Sequence, residues 1–388
     1  MTTHVFIVDS TTFKLHLEYL FAGTGARDNR IDFNNSPATA LHQMTENMLV
    51  GMIADGCRVR RGDQIVFYLQ QDISRKIYEG KFYGLFRACN DWSFLDNNDR
   101  QQYLRDELGK SLTFRTLIEP HKVYAEGVTE WEALDEIKNM TSPNQMLWSL
   151  IYRKLKGNRG NTMITIYEAE RLSQLIRTKN NRKELDCQSK PLSFDSRTQK
   201  IVGLERPANI YDGRKEEINI VPRLVAKFRA GNAFEPHLQA YIVKNLGKGS
   251  NRSLDEAVLD SAQLEWLGNE VSCGVGMQRI DIMPSVVHNE QRVLVPIELK
   301  AVEADEKNVV QIQRYVDWIE QYYIPNRQSD IQPVLVARKT ENRQSISYRH
   351  LIGSFMRFNE ANSHRCERLR FVEFSLARDD LSFERVEY

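Results

Sequence analysis

Asp281, Glu298 and Lys300 are the residues whose types and spacing best suit chemistry. Glu298 and Lys300 lie in Val293-Leu294-Val295-Pro296-Ile297-Glu298-Leu299-Lys300-Ala301, a short apolar run rich in β-branched residues. Bounded upstream by the polar His288-Asn289-Glu290-Gln291-Arg292, it reads as a strand. Strand side chains alternate, so Val293, Val295, Ile297 and Leu299 share one face. Leu294, Pro296, Glu298 and Lys300 share the other, which places an acid beside a base at the end of a mostly apolar strand. Charges there are costly to bury unless paired or bound to a metal. Upstream, Gln278-Arg279-Ile280-Asp281-Ile282-Met283 reads as the preceding strand of a hairpin, so that Asp281 can sit beside Glu298. Two carboxylates and a lysine on adjoining strands suit Mg²⁺-dependent phosphodiester hydrolysis. The hard cation takes carboxylate oxygens and keeps waters, polarises the phosphate and acidifies a bound water. The lysine can orient or deprotonate that water, or stabilise charge at phosphorus. Pro296 is unusual for a central strand: either ladder pairing begins after it or a bulge is present.

Further residues extend the pattern. Gln311 and Tyr315, four apart in Gln311-Ile312-Gln313-Arg314-Tyr315, fall on one helical face. Upstream, Phe234 to Leu246 reads as a helix opening with Glu235. In this order, Asp281, Glu298-Leu299-Lys300 and the QxxxY helix resemble the D…ExK signature of PD-(D/E)xK nucleases of RecB-like type. The likeness is to the nuclease domain of archaeal and actinobacterial mismatch endonucleases, over roughly Lys227 to Tyr388. The resemblance implies Asp281 and Glu298 as metal ligands, with Glu235 completing the site. It implies that Lys300 acts on water, and that Gln311 and Tyr315 position the lysine or the phosphate. Mg²⁺ is the expected cofactor, with Mn²⁺ able to substitute.

The elements that must carry these residues sit in a chain of 388 residues, long enough for at least two cores. No apolar run of about 18 residues appears, so no membrane span is expected. The first residues lack a basic-then-apolar leader pattern, which predicts a cytoplasmic protein. Cys57, Cys89, Cys187, Cys273 and Cys366 are scattered without CxxC spacing, which argues against a zinc site or a disulfide framework. A formal net charge of +1 says little about partners. From Ile151 to Ala230, however, 18 Lys and Arg face 9 Asp and Glu, a band that could neutralise phosphates or serve as a solvated linker surface. The glycines of Gly247-Lys248-Gly249-Ser250-Asn251-Arg252-Ser253 do not match a phosphate-binding loop.

Three segments are expected: 1–179 rich in strands, 180–226 a linker with short elements, and 227–388 an α/β domain with a mixed sheet. In the first, His4 to Asp9 and Gly62 to Leu69 read as strands, and Thr39 to Ala54 and Ile166 to Arg177 as helices. Lys76 to Ala88 reads as a strand with Gly80 and Gly84 as possible bulges, and Leu112 to Pro120 as another strand. In the last, Leu254 to Gly268 carries helical signals. Gln332 to Arg338, Leu369 to Leu376 and Leu381 to Tyr388 read as strands.

The order of the first segment resembles the EVE-like branch of the PUA superfamily, on the short first strand, the loop at Gly23 to Arg30, the Gly62-Asp63-x-Ile65-x-Phe67-Tyr68-Leu69 strand, the returning strand with a glycine, and Arg115…Ile118…Val123. It implies a small β-barrel whose pocket accepts a flipped base and checks it for modification, which needs aromatic and polar groups. Phe6, Asp9, Phe13, Tyr68, Tyr83 and Trp92 are the candidates, though such residues more often belong to a core.

Together these expectations describe a DNA endonuclease of restriction type acting on double-stranded DNA. A homodimer and a companion methyltransferase are its expected partners. Mismatch or branched-DNA repair, a nuclease fold used only for binding, and RNA binding or processing remain as alternatives.

Overall fold

The computed structural model of the chain describes residues 1–26, 30–31, 43–148, 161–232, 234–273, 278–325, 331–377 and 380–388. These form a mixed α+β protein of two compact units. One comprises Met1–Ile31 and Met44–Ile218; the other includes Asn219–Tyr388.

In the first unit, Thr3–Val8 pairs in parallel with Gln64–Leu69 and antiparallel with Thr162–Ile164. Gln64–Leu69 pairs antiparallel with Lys81–Ala88, and Phe114–Pro120 then joins Lys81–Ala88 to Phe21–Thr24. The path runs from Phe21–Thr24 to Thr162–Ile164. Among the described residues those two end strands do not pair, so the expected barrel closure is not part of the ladder. Alternation divides the side chains. Phe6, Val8, Ile65, Phe67 and Leu69 pack on one face, and Val5, Val66 and Tyr68 on the other. The register with Lys81–Ala88 shifts between Ile65 and Phe67, beside Gly84, where a bulge is expected. Gly80 instead precedes its strand, and a Cβ there would meet the Tyr68 hydroxyl at 2.1 Å. Helix Gln43–Cys57 occupies the described part of the Thr39–Ala54 expectation. The sequence also reads as helical over Asn144–Leu155; 149–155 lies outside the described residues, and the part before it holds a 3₁₀ turn at Pro143–Gln145 and a helical Trp148.

Residues 180–218, expected as linker, are built into this unit. Leu192–Asp195 and Lys200–Gly203 pair antiparallel, and Leu192, Phe194 and Ile201 pack with Phe6, Phe13 and Tyr83. Arg214 binds Asp96 at 3.0 Å and Asp99 at 2.8 Å. The charge that made the segment look solvated is therefore partly spent on the buried Asp96 and the half-buried Asp99.

The second unit is a sheet of order Gln263–Ser272, Arg279–His288, Ile297–Leu299, Val334–Arg338, Arg370–Ala377, Asp380–Val386. Ile297–Leu299, Val334–Arg338 and Arg370–Ala377 run parallel; the outer pairings are antiparallel. Val334 to Ala337 are wholly buried, as befits a parallel strand covered on both faces. Pro296 divides its strand in two. Gln291–Leu294 pairs with Ser285–His288, pairing resumes at Ile297, and the Pro296 carbonyl accepts the Val334 amide at 2.9 Å. The helical reading of Leu254–Gly268 holds only over Arg252–Val258. Asp260 and Ser261 take positive φ (54° and 66°), which ends the helix, and Gln263–Ser272 is a strand. Its helical appearance came from apolar residues that face two sides of a buried strand.

Candidate active site

Asp281 and Glu298 come from neighbouring antiparallel strands in the second unit. Ile282 pairs with Ile297, and continuing that register sets Asp281 opposite Glu298. Side chains so placed have Cβ atoms roughly 4.5–5.5 Å apart on one face. Glu298 is 1% exposed within an otherwise apolar strand, and such a charge demands partners. Two are present. The Lys300 Nζ lies 2.7 Å from Glu298 Oε1, and the Tyr315 hydroxyl donates to Glu298 Oε2 at 2.5 Å. The ammonium meets Oε1 as a charge-assisted pair within hydrogen-bond distance. Tyr315 also lies 3.0 Å from the Arg279 carbonyl, so the helix Glu306–Trp318 is tied to both strands.

Asp281 Oδ2 accepts the Leu299 amide at 2.8 Å. Burial first, and the adjacent Glu298 charge second, hold the Asp281 carboxyl well above the usual carboxylate range, with the Leu299 amide opposing. Glu235 opens helix Glu235–Asn245 with its carboxylate 3.7 Å from Lys300 Nζ. Burial raises its pKa, against the attraction of Lys300. For Lys300 burial acts downward, but the Glu298 pair and the charges of Glu235 and Asp281 outweigh it and raise the pKa. Tyr315 is raised strongly, by burial and then by the two strand carboxylates, so its hydroxyl stays a donor.

The structure thus brings Glu235, Asp281, Glu298, Lys300 and Tyr315 together. Gln311 is half-buried one turn before Tyr315 and shows no side-chain bond to the others. Sequence reasoning missed two residues. Gln239 donates to the Asp281 carbonyl at 2.9 Å and to Glu270 Oε1 at 3.1 Å. Glu270 is also paired with Arg279 at 2.8 Å. It has φ 52° inside a strand, a left-handed conformation costing a non-glycine residue on the order of 1–3 kcal/mol. The one available signal was a lone glutamine, four residues after Glu235, in a helix otherwise apolar from Leu238 to Val243.

Among the described residues no three His, Cys, Asp or Glu side chains converge as a ready metal cage. The donor set still fits a hard cation that keeps most of its waters: two opposed, buried carboxylates crowd like charge beside a single ammonium. Asp281 and Glu298 would hold it, with Glu235 in reach through water.

The first unit uses the base-pocket candidates differently. Phe6, Phe13 and Tyr83 lie in one packed cluster, where the Phe13 and Tyr83 rings are 5.1 Å apart. Tyr68 belongs to the cluster on the other face and donates to Glu130 at 2.5 Å. Asp9 caps helix Ser10–Glu18 and pairs with Lys110 at 2.5 Å. Trp92 is half-buried and outside both clusters. The six therefore do not line one pocket: the rings that a pocket would need are taken up in packing the two faces of the sheet.

No family model matches the chain, and no curated protein matches it. Among solved structures it is similar to the restriction endonuclease FokI, with a TM-score of 0.20 and 9% identity over 60% of this chain. The likeness spans 40% of that protein's chain, and at this TM-score it carries no argument about function.

Proposed function

We propose that the chain is a Mg²⁺-dependent endonuclease that hydrolyses phosphodiester bonds in double-stranded DNA. The observation that carries this reading is the opposition of Asp281 and Glu298 on neighbouring strands, with Lys300 against Glu298. When bound there, the cation would polarise the phosphate and acidify a water. Asp281 and Glu298 would hold it; Tyr315 fixes the Glu298 carboxylate through its hydroxyl. The raised pKa of Lys300 favours a cation that orients the water or stabilises charge on the phosphate over a proton acceptor. A restriction-type role in defence follows if the first unit reads DNA, which the resemblance of its sequence to the EVE-like branch implies, and a homodimer would cut both strands. Base flipping there would require a pocket other than the six residues named above.

Cleavage of unmodified, methylated, hydroxymethylated and mismatched duplexes, with Mg²⁺ and with chelator, tests the reading. Cutting that needs Mg²⁺ and is lost in Asp281→Asn is expected. Chelator-resistant cutting, or no cutting of any duplex, would overturn it. A preference for mismatched substrate would move the role from defence to repair.

A further inference from the structure

Gln239 follows Glu235 by one helical turn on the same face. It is 6% exposed among core residues such as Leu238, Tyr241 and Ile242. Its amide has two protons, and both are used: one on the Asp281 main-chain carbonyl, one on the Glu270 carboxylate. The opposite oxygen of Glu270 is held by Arg279. At this point the ladder between the two strands is interrupted. Asn269 pairs with Ile282 and Val271 with Ile280, but the intervening step, where Glu270 would face Asp281, is skipped. A side chain from the helix takes the Asp281 carbonyl at the step where the ladder is skipped.

We propose that Gln239 is a positioning residue, which, anchored by Glu270, locks the helix bearing Glu235 in register with the strand bearing Asp281. The inference rests on the reading of this site as a cation-dependent nuclease. The Glu235 carboxylate itself is met by the Ala301 amide and, at 3.7 Å, by Lys300, while Gln239 ties the next turn of the same helix to the strand of Asp281. Both groups bound by Gln239 are acceptors, so the position demands a double donor. Glutamate there would face two acceptors with a third. Outer partners of this kind commonly change metal affinity 10–100-fold when removed.

The test uses the full chain with Mn²⁺ as the probe, measuring Mn²⁺ affinity by titration and duplex cleavage in Mg²⁺. Gln239→Ala is expected to weaken Mn²⁺ binding by roughly 10-fold or more and to lower kcat with little change in KM. Gln239→Glu is expected to be worse than alanine. Glu270→Ala should weaken binding in the same direction, and adding it to Gln239→Ala should cost nothing more. A residue that merely packs would lower the thermal midpoint of the ion-free protein and leave the Mn²⁺ affinity unmoved. Wild-type Mn²⁺ affinity in Gln239→Ala, while Asp281→Asn abolishes binding, overturns this proposal alone. Wild-type affinity in Asp281→Asn overturns the cation reading and this inference with it. If Gln239→Ala does not fold, Glu270→Ala decides by the same criterion.

Discussion

Both units bury charge, and they do so in opposite ways. In the first, His4, Asp55, Arg58, Asp63 and Asn161 form a connected, buried set. Arg58 bonds Asp55 at 3.1 Å and Asn161 at 2.5 Å; His4 bonds Asn161 at 3.2 Å and Asp63 at 2.9 Å. Asp63 also accepts the amides of Thr2 and Arg60. Burial lowers the His4 pKa, so the set pairs one guanidinium with carboxylates that are each met by donors, and it ties the first strand to the chain around it. In the second unit, Asp281, Glu298 and Glu235 crowd one sign around a single ammonium. A folded chain keeps such an arrangement at a cost to itself, which makes it the better candidate for chemistry. Burial of charge is thus no guide to function until the signs are counted.

The largest effect expected from breaking this contrast is at Lys300. Lys300→Ala should lower cleavage on the order of 10²–10⁴-fold with DNA binding largely kept. Full cleavage by that variant, in a steady-state assay, would reject the assignment. In the first unit's set, Asp55→Ala removes the 3.1 Å ion pair to the buried Arg58 guanidinium. Denaturant unfolding should show a loss of about 3–5 kcal/mol, and a change under 1 kcal/mol would show the set to be less tightly bound than its distances imply.

The pH responses should have opposite signs. His16 in the first unit is wholly buried, with neither ring nitrogen hydrogen-bonded, and burial lowers its pKa to about 3. The unfolded chain binds that proton at about 6.5, so stability falls as pH drops from there toward 3. The loss is about 1 kcal/mol between pH 7 and 5.5, and His16→Leu should remove it from melting curves. Asp281 is raised instead, so the folded state holds its proton longer than the unfolded one, and stability falls as pH rises above 3.8. Asp281→Asn in ion-free buffer should therefore melt at or above the wild type, by up to about 1 kcal/mol, or 2–4 °C. Added Mg²⁺ should raise the midpoint of the wild type and not of this variant. A lower midpoint for Asp281→Asn without ions would mean that the carboxylates are not in conflict.

Spacing made Asp281, Glu298, Lys300 and Tyr315 legible, because strand and helix periods decide which side chains share a face. Gln239 and Glu270 were not legible. Gln239 acts on a backbone carbonyl, which leaves no pattern of residue types, and the turn at Glu270 occurs without a glycine. The strand Gln263–Ser272 was taken for helix because apolar residues on both faces erase the period of two. The supposed linker was misjudged on its charge, although Leu192 and Phe194 alternate as an inward-facing strand should, with Ile201 inward on its partner. Among the aromatic candidates of the first unit, Phe6, Phe13, Tyr68 and Tyr83 lie in packed clusters, since rings suited to a pocket also make good cores.

Pro296 contributes a carbonyl but no amide to the sheet; the three residues that follow it pair with Val334–Val336, Ile297 also pairs with Ile282, and the Leu299 amide is taken by the Asp281 carboxylate. The backbone protons of Ile297, Glu298 and Leu299 should accordingly be among the slowest in the chain to exchange with deuterium. The carboxylate of Glu298 then rides on a backbone that moves only when the whole sheet opens.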